Sequence, residues 1–145
     1  RDGYRKALAA HGLAAIDGFY LPGVWSEEWG REAVAQLFRG RRDPPDAIFC
    51  GNDQIARGAA DALRERGIGV PDTVSLVGFD NWDVIAEATR PALTSIDMNL
   101  RDLGREAGIR MLDMIAGKRL HGVQRLPCTL VVRDSCGGKK RSGAA

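Results

Sequence analysis

No stretch of this 145-residue chain approaches the roughly 18 consecutive apolar residues of a membrane-spanning helix. Nor does Arg1 to Ala10 show an apolar core followed by a small-residue cleavage site, as a secretory signal would. A soluble, cytoplasmic protein with no membrane partner is expected. Cysteine is scarce. Cys50, Cys128 and Cys136 are odd in number and show no Cys-x-x-Cys spacing, which argues against a disulfide framework or zinc and fits a reducing compartment. Histidine is scarcer still: His11 falls at a helix end and His121 in a Leu-His-Gly turn. Each reads as a surface residue rather than the base of a triad. There is no Gly-x-Ser-x-Gly elbow, no phosphate loop ending in Lys-Ser/Thr, and no Gly-x-Gly-x-x-Gly after a strand. Asp80 and Asp83 read as helix-start residues, not an acid/base pair. The chain is therefore taken as a non-enzyme with no catalytic residues, no metal and no cofactor.

Surplus charge is also missing. The formal net charge is +2, and Lys139, Lys140 and Arg141 in a Gly/Ser/Ala tail more than account for it. A nucleic-acid surface needs basic residues clustered on a folded element. Arg39, Arg41 and Arg42 form the only other cluster, and they sit where cations favour the exposed carbonyls of a helix end. What is present is one domain's worth of sequence, 44% hydrophobic, long enough to bury roughly two-thirds of its unfolded surface.

Helical and strand patterns alternate along it. Tyr4 to His11 reads as the end of a helix closed by Gly12, and Ala15 to Val24 leaves room for one short strand. Ser26 caps a helix with Glu27 and Glu28 in its first turn and an apolar stripe of Trp29, Ala33, Val34, Leu37 and Phe38, ended by Gly40. Asp43-Pro44-Pro45-Asp46 is a turn. Ala47-Ile48-Phe49-Cys50 has no polar alternation, as for a strand covered on both faces. Asn52 or Asp53 then caps a helix lined by Ile55, Ala56, Ala59, Ala60 and Leu63. Val74 to Phe79 is a second such strand, broken by Asp80-Asn81, and a short helix spans Trp82 to Ala88. Leu93 to Ile96 is a brief strand, and Asn99 caps a helix with Leu100, Leu103, Ala107, Met111, Met114 and Ile115 at helical spacing. Leu126 to Val132 is the last strand, and residues 137–145 form a disordered basic tail.

This alternation predicts an α/β fold with a mostly parallel sheet flanked by helices. Such sheets bind ligands beyond the carboxyl ends of their strands. Asn52 and Asp80 follow two of those ends and so reach one crevice. Asp80 suits acceptance of hydrogen bonds from ligand hydroxyls or amines, and Asn52 offers both a donor and an acceptor. Each also has the plainer option of capping the next helix. Trp25, where a strand would hand over to a helix, either stacks on a ligand ring or packs in the core.

The run Ala47 to Ala59, then Gly67 to Asn81, then Pro91-Ala92-Leu93-Thr94-Ser95-Ile96, Leu103-Gly104 and Leu130 to Ser135 resembles the LacI/GalR family of transcriptional regulators, in the same order. The resemblance covers about Arg1 to Ser135. It implies a periplasmic-binding-protein-like I fold, here incomplete: the C-terminal lobe plus one helix, Asn99 to Ala116, of the other lobe. Residues 1–136 would form a partial effector-binding and dimerisation domain. By the same resemblance Trp25, Asn52 and Asp80 line a pocket for a small-molecule effector, sugar or nucleoside-like. A homodimer would form through helix 54–66, whose small Ala59 and Ala60 would permit close packing on the partner. Operator DNA would be bound only by a headpiece absent from this chain. The pattern departs from the family near Arg1, one place too close to Gly3 to be the pocket arginine, and at Met98 or Asp97, where a pocket-side polar residue is common. The face of Leu100, Met111 and Ile115 should be exposed or packed on another copy. The alternative is a fragment of a periplasmic sugar-binding protein of an ABC transporter.

Overall fold

The computed structural model describes residues 2–14, 20–40 and 45–137. The expected tail beyond Gly137, Arg41 and Arg42, the Asp43-Pro44 half of the turn, and residues 15–19 of the proposed first strand lie outside the described residues; Tyr20 to Val24 form no strand. Five helices, α1 (Asp2–Ala10), α2 (Glu27–Phe38), α3 (Asp53–Glu65), α4 (Asp83–Ala86) and α5 (Leu100–Ile115), alternate with strands β1 (Ala47–Phe49), β2 (Ser75–Phe79), β3 (Thr94–Asp97) and β4 (Thr129–Val131). The sheet order is β1-β2-β3-β4. β1, β2 and β3 run parallel and β4 antiparallel, so the mostly parallel α/β architecture holds.

Local chemistry sets the helix boundaries. Ser26 Oγ accepts the Trp29 N–H at 3.1 Å, and Glu27 and Glu28 stand in the first turn of α2. The Glu28 carboxyl is held below the usual range by that helix start, chiefly through a backbone N–H and the Ser26 hydroxyl. Ser26→Ala should cost about 1 kcal/mol, read as a lower urea midpoint with an unchanged slope.

The core lies on one side of the sheet. Val34 of α2, Ala56, Ala59, Ala60 and Leu63 of α3, Leu76 of β2, Ala86 of α4 and Leu93 cluster there, all buried. α2 crosses α3 at backbone contact. A Cβ on Gly30 would lie 2.1 Å from the Ile55 carbonyl oxygen, and one on Gly58 would lie 2.0 Å from that of Glu27. This packing corrects one expectation: Ala59 and Ala60 face the interior of their own chain, not a partner, because α2 and the sheet occupy that side of α3.

A second correction concerns β1, expected to be covered on both faces. Only Ile48 is partly buried; Ala47 and Phe49 are exposed, since the packed helices all lie on the Leu76 side. The other face carries Phe49 edge-on to Phe79, ring centroids 6.5 Å apart. α5 buries no residue at all, and Leu100, Met111 and Ile115 are exposed. Its expected Asn99 side-chain cap is not made: Asn99 adopts a left-handed conformation, φ 55°, which asparagine tolerates.

Candidate functional site

Because β1 and β2 are adjacent and parallel, with Phe49 opposite Val77, the residues after them emerge at one sheet edge. Asn52 and Asp80 therefore share the carboxyl edge, as the strand pattern predicts. Their surroundings differ. Asn52 is 3% exposed, and its Oδ1 accepts the Ile55 N–H at 2.8 Å, capping α3. Capping thus takes its acceptor and leaves the Nδ2 donor over. Of the two caps the sequence offers, the helix uses Asn52 and not Asp53.

Asp80 ends β2 with its N–H donated to the Ile96 carbonyl at 2.9 Å. It has φ 109°, and Asn81 follows at 52°; two consecutive non-glycine residues of positive φ are costly and concentrate at functional sites. No protein donor among the described residues meets the Asp80 carboxylate. Partial burial, then the negative charge of Asp53, push its pKa above the usual carboxylate range. An acceptor raised in basicity and unpaired is suited to a ligand's hydroxyl or amine.

Asn81 was not singled out from the sequence. Its Nδ2 donates to Asp97 Oδ2 at 3.2 Å, and Asp97 Oδ1 accepts the Asn99 N–H at 2.7 Å. Asn81 Oδ1 is buried without a hydrogen-bond partner. Asp97, a candidate pocket-side polar residue, is thus engaged in joining the turn after β2 to the start of α5. Cys50, buried beside this edge, has its thiol pushed up to about 12 by burial and by Asp53, which makes it inert.

Trp25 stands before the Ser26 cap with 71% of its surface exposed. Core packing, its plainer alternative, is therefore not its role. The loop leading to it rests on α2: a Cβ on Gly23 would overlap the Trp29 indole, 1.9 Å from Cε2. A separate shallow hollow of about 390 Å³, lined by Arg64, Gly67, Val70, Arg90 and Pro91, lies at the amino ends of the strands, away from these residues. No helix among the described residues is long and apolar enough to cross a membrane.

Residues 1–136 match the family described as a periplasmic binding protein-like domain. The chain is 34% identical over 135 residues to the HTH-type transcriptional repressor CytR of Escherichia coli strain K12, covering 92% of this chain and 39% of that protein. Among solved structures it is similar to a sugar-binding transcriptional regulator of the LacI family from Escherichia coli, complexed with phosphate, at 36% identity and TM-score 0.81, covering 92% of this chain and 47% of that one. A LacI-type transcription regulator from Bifidobacterium animalis subsp. lactis superposes with TM-score 0.82 at 36% identity, covering 93% and 48% respectively. The chain spans about two-fifths of the length of the curated relatives it matches.

Proposed function

From the premise that this chain belongs to the periplasmic binding protein-like domain family, among its LacI/GalR relatives, we propose that it is the C-terminal portion of the effector-binding half of a transcriptional regulator. Trp25, Asn52 and Asp80 contact a sugar or nucleoside-like effector: the indole stacks on the ring, the Asn52 amide donates, and the Asp80 carboxylate accepts from hydroxyls. The observation that carries this reading is the unpaired Asp80 carboxylate, at a sheet edge it shares with the Asn52 amide, in a left-handed turn. The sugar-binding relative supports the ligand class.

In the whole regulator, one arrangement of the two lobes binds effector more tightly. That differential affinity resets the spacing of paired DNA-reading heads, and operator DNA is read by them, outside this chain. Homodimerisation through helix 54–66 uses its polar side, where Asp61 and Arg64 pair, since Ala59 and Ala60 are already covered. The protein acts in the cytoplasm by binding, without turnover. The relatives named above are regulators of transcription, so the transporter-fragment reading is not favoured.

Titration calorimetry with a panel of mono- and disaccharides and nucleosides tests the assignment, alongside tryptophan fluorescence of the wild type and of Trp25→Phe. Saturable binding of one class, with a fluorescence change lost in the variant, is expected. Heat and fluorescence flat across the whole panel would overturn it.

A further inference from the structure

The Asp53 carboxylate is 1% exposed and has no part in the contacts proposed above. It does not cap α3, since Asn52 does. Instead Oδ2 accepts the Trp82 N–H at 2.7 Å and Oδ1 accepts the Ser95 hydroxyl at 2.5 Å. Ser95 Oγ in turn accepts the Asn81 N–H at 3.1 Å. With the Asp80 N–H on the Ile96 carbonyl, three successive backbone donors, 80 to 82, are all tied to β3 or to Asp53. Gly78 makes the space for this: a Cβ there would sit 2.3 Å from Asp53 Oδ1. A buried carboxylate is tolerated only when its oxygens are satisfied, and these bonds satisfy it by fixing the turn after β2.

We propose that Asp53 is the positioning residue of the candidate site: with Ser95 it locks the Asp80–Asn81 turn in its left-handed conformation and so keeps the Asp80 carboxylate clear of protein donors for an effector hydroxyl. Unlocked, two strained residues would relax toward negative φ, and the carboxylate would turn with them. The lock itself stands on the hydrogen bonds; only its service to a ligand rests on the effector reading.

Amide hydrogen exchange by NMR on the full chain tests the lock without any ligand. In Ser95→Ala the Asn81 amide should exchange about tenfold faster, and in Asp53→Asn the Trp82 amide, having lost a charge-assisted bond, should do so and shift upfield. The Leu63 and Leu76 amides, in the core, should keep wild-type rates. A carbon-detected titration should also find Asp80 ionising at lower pH in Asp53→Asn, since one of the two causes that raise it, the Asp53 charge, is gone. Unaltered Asn81 and Trp82 amides, or all amides moving together, would overturn the proposal; if Asp53→Asn fails to fold, Ser95→Ala decides alone. With any sugar that binds the wild type, both variants should bind at least about tenfold more weakly, and equal affinity would remove the positioning role. If no sugar binds the wild type, the effector reading fails while the exchange rates still judge the lock.

Discussion

Gly58→Ala is expected to lower the melting temperature by about 10 °C or more, the equivalent of about 3 kcal/mol of overpacking. Its Cβ would meet the Glu27 carbonyl oxygen at 2.0 Å and Glu27 C at 2.7 Å. Those are backbone atoms, so no side chain can swing aside, and α2 must slide off α3. Gly30→Ala should act the same way against the Ile55 carbonyl, and the double variant should cost less than the sum, because one displacement relieves both contacts. Alanine favours the helix over glycine by about 1 kcal/mol, which offsets part of the loss but not its sign. Gly108→Ala supplies the contrast. That glycine is in α5 with nothing within 4 Å, so only propensity acts and the variant should gain up to about 1 kcal/mol. Circular dichroism melts of the three single variants are the measurement. Gly58→Ala melting at or above the wild type would show that α2 does not cross α3 at backbone contact.

The same glycines mark where sequence reasoning stops. The apolar stripe of α2 is legible because Val34 and Leu37 recur at helical spacing, but Gly30 carries no periodic signal. Its meaning depends on Ile55, a residue of another helix. The parallel order of β1, β2 and β3 follows from short apolar runs alternating with helices, and it places Asn52 and Asp80 at one edge. The uncovered face of Phe49 and Phe79 is not legible, since an unbroken apolar run looks the same whether one or both faces meet helices. At the site, the Asn-Asp pair reads as a choice of caps. Which residue caps is settled by Trp82 and Ser95, 29 and 42 positions away, and no local pattern announces partners at such range. Asn81 reads only as a strand breaker; its link to Asp97 joins the turn after β2 to the end of β3, which only the sheet brings together.

Asp80→Asn should weaken the proposed effector binding while making the chain more stable at neutral pH. Replacing a charged acceptor with a neutral amide removes a hydrogen bond worth about 1.5–3 kcal/mol, or roughly ten- to hundredfold in affinity. Stability moves the other way. Burial and the Asp53 charge raise the Asp80 pKa in the folded chain, so the native state holds this proton more tightly than the unfolded one. The resulting stabilisation is fully present below the unfolded carboxylate pKa of about 3.9 and is lost as pH rises through the raised value. At neutral pH the ionised carboxylate is therefore a net cost, and asparagine removes it. The advantage of the variant should shrink as pH falls toward 4. Any residue of the advantage that persists in acid reports the backbone, since asparagine tolerates positive φ. Urea denaturation of both proteins at pH 7 and at pH 4, with calorimetry against the bound sugar, separates the three contributions. A variant no more stable at pH 7 than at pH 4, relative to the wild type, would mean that the Asp80 charge is not strained by its surroundings. The carboxylate would then be an ordinary surface group rather than one kept at a cost for its ligand.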